Sequence, residues 1–241
     1  MAVALDGVSE GALHGTLPRG ELSVAVVKVA EHVAEIPVGR MKPSSGLDPG
    51  LDALLLLMAQ MDHDLTVPVM GSEGEISSLV GLLIDVPRGA KRRRVQHRLL
   101  DIYFALALLE AGDPLPGKLP TVQQIENVLL GGPPISGGQS WVVRWRNGTK
   151  ALRYEDVQMM IANVGQSTGK DLSWIFRRLY NAAQVWARVE ELGPEAVRMA
   201  GERYGQWWNA LCNQGRVSAP LETPYWAAFN RAGDRTAPPS I

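Results

Sequence analysis

The sequence predicts a mainly α-helical fold, with a helical core, one β-hairpin at about residues 141–154 and extended arms at both ends. Apolar residues recur at helical spacing through most of the middle of the chain. One Asn-Gly pair, the dipeptide typical of a two-residue hairpin turn, lies between two short apolar runs. Segments rich in glycine and proline flank the helical part, so we expect an N-terminal arm with one short helix at 1–48, a core at 49–212 and a C-terminal arm at 213–241.

The N-terminal arm starts with glycines and small polar residues and ends with a loop-like stretch at 37–50, which holds three prolines and three glycines. Between these two stretches, Glu21–Ile36 has the apolar spacing of a helix. Three further helices are predicted at 51–61, 75–84 and 92–111. The buried stripe of the last one is expected to consist of Leu99, Ile102, Tyr103, Leu106 and Leu109.

The middle of the chain carries a helix start and the predicted hairpin. Thr121 is a typical N-cap residue, and the helix that it begins is expected to run to Leu130. Asn147 and Gly148 would form a type I′ turn between two strands. One face of this hairpin would carry Trp141, Val143 and Trp145, and the other Val142, Arg144 and Arg146.

Two long helices are predicted towards the end of the core. The first starts at Asp171, and its apolar spacing places Trp174 and Trp186 in the core. The second starts at Pro194, where the missing N–H of proline is tolerated, and runs to about Leu211.

The formal net charge of −1 conceals an uneven charge distribution. Residues 1–87 hold 4 Lys and Arg against 12 Asp and Glu, whereas residues 88–241 hold 20 against 13. Basic residues are densest in PRGAKRRRVQHRLL, which includes Arg88, Lys91, Arg92, Arg93, Arg94 and Arg98. Cations at a helix start oppose the helix dipole, so a bound polyphosphate would explain them. A solvated helix start and a nuclear-import segment remain open alternatives.

Motifs for catalysis or metal binding are not recognised. Cys212 is the single cysteine, so neither an intrachain disulfide nor a cysteine-based zinc cluster is possible. NVGQSTGKDL at 163–172 departs from a phosphate-binding loop, because three residues separate its glycines and an aspartate follows the lysine. Metal-ligand spacing is absent among His14, His32, His63 and His97. We therefore expect no enzyme activity, no cofactor and no metal.

Membrane and secretory signals are not recognised either. The N-terminal residues lack a basic segment before an apolar run. The longest apolar stretch, at 51–61, is well short of the roughly 20 residues that a transmembrane helix needs. These features predict a soluble intracellular protein without a membrane partner.

Cationic and aromatic residues are interleaved through the second half of the chain. Guanidinium and ammonium groups neutralise phosphates, and aromatic rings stack on unpaired bases, so this mixture is typical of single-stranded nucleic-acid binding. A tryptophan-rich core with a basic exterior is the alternative. The aromatic residues concerned are Trp141, Trp145, Tyr154, Trp174, Tyr180, Trp186, Tyr204, Trp207 and Trp208.

TPYWAAFNRAGDRTAPP at 223–239 resembles the C-terminal AAFD or YAFDF segment in coat proteins of flexible filamentous plant viruses, the potexvirus-like and potyvirus-like groups. Upstream, NGTK and the following LRYEDVQMMIANVGQSTGKDLSWIFRRLYNAAQVWARVEEL are similar to the run from an Asn-Gly-Thr turn into a helix in these proteins. The resemblance covers roughly residues 140–239. A nucleocapsid protein of a segmented negative-strand virus remains an alternative.

In the coat-protein family a serine, an arginine and an aspartate line the groove that holds genomic RNA. The matching positions in this chain are, in that order, Thr149 and Lys150, Arg177 or Arg178 beside Ser173, and Asn230. The resemblance further implies an N-terminal arm that docks on a neighbouring subunit and a C-terminal arm that faces the filament interior. Residues 22–36 would form the apolar face of the docking arm.

The sequence thus predicts a viral capsid or nucleocapsid subunit that binds single-stranded RNA without sequence preference and polymerises into a helical filament, in the virion and the host cytoplasm. A helical protein-binding scaffold or adaptor, with a basic docking or nuclear-import segment, is the alternative. The residues predicted to contact RNA are Arg92, Arg93, Arg94, Arg98, Arg144, Arg146, Thr149, Lys150, Ser173, Arg177, Arg178 and Asn230.

Overall fold

The computed structural model describes residues 47–70, 78–84, 94–132 and 140–212, and within these ranges the chain forms eight α-helices and no β-strand. The mainly α-helical class is therefore confirmed for these residues. The predicted arms, including Glu21–Ile36, lie almost entirely outside them. No helix in the described ranges is long and apolar enough to cross a membrane. The helices are α1 (Pro49–Met70), α2 (Leu79–Ile84), α3 (Val95–Ala111), α4 (Val122–Leu129), α5 (Trp141–Arg146), α6 (Tyr154–Thr168), α7 (Ser173–Glu191) and α8 (Pro194–Cys212).

The start of α4 is held by hydrogen bonds between residues close in the sequence, so the sequence alone could predict it. The backbone N–H of Gln124 donates to the hydroxyl of Thr121 at 3.3 Å, and the side chain of Gln124 accepts from the backbone N–H of Thr121 at 2.9 Å. This reciprocal capping box satisfies two backbone groups that a helix start otherwise leaves unpaired. The predicted cap at Thr121 is confirmed.

The predicted β-hairpin at 141–154 is wrong, because its first half forms helix α5. Ser140 caps this helix by accepting the backbone N–H of Val143 at 3.3 Å. Val142 and Trp145 are fully buried, and this spacing of three residues is helical rather than alternating.

Gly148 explains how the same Asn-Gly pair fits a helix end. Its φ of 68° is left-handed, and its N–H donates to the carbonyl of Trp145 at 3.1 Å. The N–H of Thr149 donates to the carbonyl of Arg144 at 3.0 Å, which completes a Schellman motif. A hairpin turn and a helix end both require a residue with positive φ, so the dipeptide alone does not distinguish them.

The described residues form two compact units, and α2 and α7 each contribute to both. One unit comprises 81–84, 94–132 and 140–183 and is centred on α3, which packs against α4, α5 and α6. All nine residues from Leu99 to Ala107 of α3 are buried. The predicted stripe is confirmed except at Leu109, which is 44% exposed.

Helix α7 confirms one predicted core tryptophan and contradicts the other. Trp186 is fully buried, whereas Trp174 is 38% exposed. Twelve residues span about three and one-third turns, so the two side chains point in directions about a third of a turn apart. The buried stripe of α7 includes Trp186 and leaves Trp174 at the surface.

The other unit comprises 47–70, 78–80 and 184–212, and in it α1 packs against α8. Asp52 of α1 accepts hydrogen bonds from Nε and Nη2 of Arg203 at 2.7 and 2.8 Å. Its carboxylate also accepts from the indole N–H of Trp207 at 2.7 Å. All three side chains are buried, so this ion pair is part of the interior of the unit.

Asp62 is a second buried carboxylate of the same unit. It accepts backbone N–H groups of Leu79 and Val80 at 2.9 and 3.0 Å, which caps α2, and the hydroxyl of Tyr204 at 2.6 Å. The hydroxyl of Ser78 also donates to it. Burial nevertheless raises the pKa of Asp62, and these four hydrogen bonds oppose the shift only in part.

Candidate nucleic-acid interface

Helix α5 presents one aromatic and one cationic side chain to the surface of the α3-centred unit. Its inner face is fixed by the buried Val142 and Trp145, and the hydroxyl of its cap, Ser140, donates to a carboxylate of α4. Trp141 is left 39% exposed, and Arg144 is exposed as well. The short helix thus holds the two groups on a rigid support.

Arg94 lies against the turn that ends α5. It precedes α3 directly, its side chain is exposed, and a Cβ added to Gly148 would overlap its Nη1 atom. A cation is favourable at this place, because the last carbonyl groups of a helix carry partial negative charge. Arg144 belongs to the last turn of α5 and is exposed as well, so two cations that are distant in the sequence lie near the end of this helix.

Lys150 is held between an aromatic ring and a carboxylate. Its Nζ atom lies 3.5 Å from the ring centroid of Trp141 and 3.6 Å from Oδ1 of Asp156. The other oxygen of Asp156 accepts the backbone N–H of Arg153 at 2.9 Å, at the start of α6. The ammonium group is thus partly neutralised, and the indole ring gains a cation–π contact that fixes its orientation.

Two of the arginines predicted to contact RNA point inward. Arg98 is buried, and its Nε–H donates to the carbonyl of Leu83. Arg146 donates to the buried carboxylate of Asp101, which also lies 3.9 Å from Nε2 of His97. These contacts give both arginines a role in stabilising the fold, so the interface proposed below omits them.

The first turns of α7 hold a second group of predicted residues. The carboxylate of Asp171 accepts the backbone N–H of Ser173 at 2.9 Å. Hydrogen bonds from the side chain and backbone of Ser173 lower the pKa of Asp171, and the nearby charge of Arg177 contributes. Arg177 is exposed, and the guanidinium of Arg178 lies 5.8 Å from the ring centroid of Trp174. This patch is less cationic than the sequence suggested, since Asp171 offsets part of its charge.

Tyr180 connects α7 to the segment that follows α5. Its hydroxyl donates to the carbonyl of Leu152 at 3.4 Å, and its ring centroid lies 6.0 Å from that of Tyr154, which is 38% exposed. Burial raises the pKa of Tyr180, so it stays a neutral donor at physiological pH. Arg177 lies three residues before Tyr180 and therefore on the neighbouring part of the helix surface.

Apart from Arg98 and Arg146, the predicted contacts divide into three groups. Arg94, Arg144, Thr149 and Arg177 are exposed, and Lys150, Ser173 and Arg178 are half-buried. The hydroxyl of Thr149 donates to the carbonyl of Arg144 at 3.2 Å. Outside the described residues lie Arg92, Arg93 and Asn230.

Sequence reasoning named Trp141 only as one of nine aromatic residues, and it missed helix α5, the carboxylate of Asp156 and the role of Gly148. One local signal for the helix was available, because Ser140 is a good N-cap residue. The roles of Asp156 and Gly148 depend on their contacts with Lys150 and Arg94, which only the structure shows.

The arrangement is suited to binding an anionic, partly planar ligand. Where the chain is described, no group of three His, Cys, Asp or Glu side chains is placed to hold a metal ion. The exposed guanidinium groups offer contacts to phosphate, and the exposed rings offer stacking. Comparison with known proteins gives no family assignment, because no family model, curated protein or solved structure matches this chain.

Proposed function

We propose that this chain is a capsid or nucleocapsid subunit that binds single-stranded RNA without sequence preference and polymerises into a helical filament. Its partners are RNA and further copies of itself, and it acts without catalysis or a cofactor. It belongs to the virion and, before assembly, to the host cytoplasm. The viral part of the proposal rests on the sequence resemblance, and the RNA-binding part on the surface around α5.

One observation carries the RNA-binding part: the side chain of Arg94 lies on Gly148. It brings the last residue of the run Arg92–Arg94 to the end of α5, the helix whose last turn carries Arg144. Neither Arg94 nor Arg144 has a carboxylate partner among the described residues, and both are exposed. A phosphate chain would supply the missing negative charge.

The exposed aromatic residues favour a single strand over a duplex. Trp141 and Tyr154 each expose more than a third of their surface. Unpaired bases expose ring faces to such side chains, whereas paired bases in a duplex are stacked on one another. Every base has such a face and every nucleotide a phosphate, so these contacts carry no sequence preference.

The polymerisation part rests on the sequence of residues outside the described ranges. Glu21–Ile36 has an apolar stripe between two loop-like stretches, and such a segment is suited to docking on a neighbouring copy. The acidic balance of residues 1–87 complements the basic balance of 88–241. Attraction between these parts of different copies would favour head-to-tail assembly.

Binding and electron microscopy of the full chain test the proposal. We expect the purified chain to bind labelled single-stranded RNA at low salt and to form filaments that negative staining makes visible. The logarithm of the affinity should fall with the logarithm of the salt concentration, with a slope of about −0.7 for each phosphate neutralised. A chain that binds no RNA at low salt and stays monomeric when RNA is added would refute the proposal.

Charge reversal separates this function from an adaptor role. Replacing Arg92, Arg93 and Arg94 by glutamate should abolish RNA binding if the basic run contacts phosphate. Loss of a protein partner with RNA affinity intact would support the adaptor instead.

A further inference from the structure

We infer that Trp141 is a base-stacking residue, and that the face of its indole ring opposite Lys150 receives one unpaired nucleobase of a bound strand. This inference rests on the proposed function and assigns a subsite to it. The inference concerns contacts with the bases, whereas the arginine contacts of the proposed function are with the phosphates. A strand without bases therefore tests the two separately.

The distances among three groups show which face of the Trp141 ring Lys150 and Trp145 leave uncovered. The Nζ atom of Lys150 lies 3.5 Å from the centroid of Trp141 and 5.3 Å from that of Trp145, and the two centroids are 5.7 Å apart. If Lys150 and Trp145 lay on opposite sides of Trp141, the distance between them would exceed 5.7 Å. Both therefore lie on the same side, so neither Lys150 nor Trp145 covers the other face of the Trp141 ring.

The ring is held in place before any ligand arrives. Trp145 is fully buried and meets Trp141 at an interplanar angle of 77°. Asp156 holds Lys150 against the ring, with 3.6 Å between Nζ and Oδ1. A stacking side chain that is already ordered loses little conformational entropy on binding, which favours affinity.

A phosphate contact is available next to the stacking face. Arg144 lies three residues after Trp141 on α5, and residues at this spacing are neighbours on a helix surface, with about 5–6 Å between their Cβ atoms. Both side chains are exposed. A single nucleotide can therefore place its base on Trp141 and its phosphate near Arg144. Neighbouring exposed aromatic and cationic side chains are the combination that single-stranded nucleic acids use.

Two RNA strands of equal length, one with bases and one abasic, test the inference with the full chain. Both carry the same phosphates, but only the first can stack. We expect Trp141→Leu to weaken binding of the base-bearing strand by roughly 5- to 150-fold, the range found for loss of one stacked base. Binding of the abasic strand should change less than about twofold, and Trp141→Phe should restore part of the lost affinity.

Leu192→Ala is the control. Leu192 follows α7 directly and is 69% exposed, but it has no ring on which a base could stack. We expect this variant to bind both strands like the unaltered chain. If Trp141→Leu loses affinity for both strands equally, or for neither, the inference is overturned while RNA binding itself stands. If the unaltered chain binds neither strand, the proposed function fails and the inference fails with it.

Discussion

The guanidinium group of Arg94 occupies the space that a side chain at Gly148 would fill. Gly148 is therefore required for two independent reasons. Its φ of 68° lies in the left-handed region, and its missing Cβ leaves room for Nη1 of Arg94. The first requirement concerns the end of α5, and the second concerns the proposed interface.

Replacing Gly148 by alanine should affect both stability and binding. The left-handed conformation costs a residue with a Cβ about 1–2 kcal/mol, which urea denaturation would detect. The added methyl group also displaces the side chain of Arg94. If the displaced side chain loses its phosphate contact, the salt slope of RNA binding should become shallower by about 0.7.

Gly169→Ala is the control for this prediction. Gly169 has the same φ of 68°, but no atom lies within 4 Å of the position that its Cβ would take. This variant should show a comparable loss of stability and an unchanged salt slope. Identical RNA binding by the two variants would show that the position of Arg94 does not matter for the interface.

The buried pair of Asp52 and Arg203 should dominate the stability of its unit. Asp52→Ala leaves the guanidinium of Arg203 and the indole N–H of Trp207 without their acceptor in the interior. Removing one partner of such a pair typically costs about 3–5 kcal/mol. We expect a large fall in the urea midpoint, and a smaller one for Asp52→Asn, which keeps one acceptor oxygen.

Glu195→Ala is the matched control for the buried pair. Glu195 also forms a close ion pair, with Arg198, but both side chains are more than half exposed. Exposed pairs contribute little to stability, so the urea midpoint should not change measurably. Equal effects of Asp52→Ala and Glu195→Ala would contradict the assignment of Asp52 to the interior.

Asp62 should make stability depend on pH in the direction opposite to most carboxylates. Because burial raises its pKa in the folded state, the native chain holds the proton more tightly than the unfolded chain does. The contribution of Asp62 to stability is therefore fully present below the pKa of about 3.9 in the unfolded chain. It is lost as the pH rises through the pKa of Asp62 in the folded chain. The unaltered chain should gain stability relative to Asp62→Asn when the pH is lowered from 7 to 4.5.

Urea denaturation of both chains at the two pH values measures this difference. Other carboxylates titrate in both chains, so their contributions cancel in the comparison. A difference that is the same at both pH values, or that grows as the pH rises, would show that Asp62 is not the cause.

The parts of the fold that sequence predicted well are those that depend on neighbouring residues. The cap at Thr121 follows from hydrogen bonds within one helical turn, and the helical spacing of apolar residues in α3 predicted that it would be buried. The hairpin prediction failed because Asn147 and Gly148 carry a local signal that two structures share. Which one forms is decided by the burial of Val142 and Trp145 against the rest of the unit.

The candidate site was predicted less well, since an arginine's role depends on partners far away in the sequence. Arg146 and Arg144 are two residues apart, yet the first pairs with the buried Asp101 and the second is exposed. No spacing rule identifies Asp101, which lies 45 residues before Arg146. The same holds for Arg98, whose acceptor is a backbone carbonyl of α2.

Arg144 provides the most direct test of the proposed phosphate contacts. Arg144→Ala removes one exposed cation without a carboxylate partner among the described residues, so stability should change little, while the salt slope of RNA binding should become shallower by about 0.7. Arg188→Ala also removes an exposed charge, from the other unit, where Glu191 lies 2.8 Å away, and should leave the slope unchanged. Titrations of labelled RNA at several salt concentrations measure both slopes. Equal reductions in the two variants would mean that RNA responds to overall charge, and the surface around α5 would then have no special role.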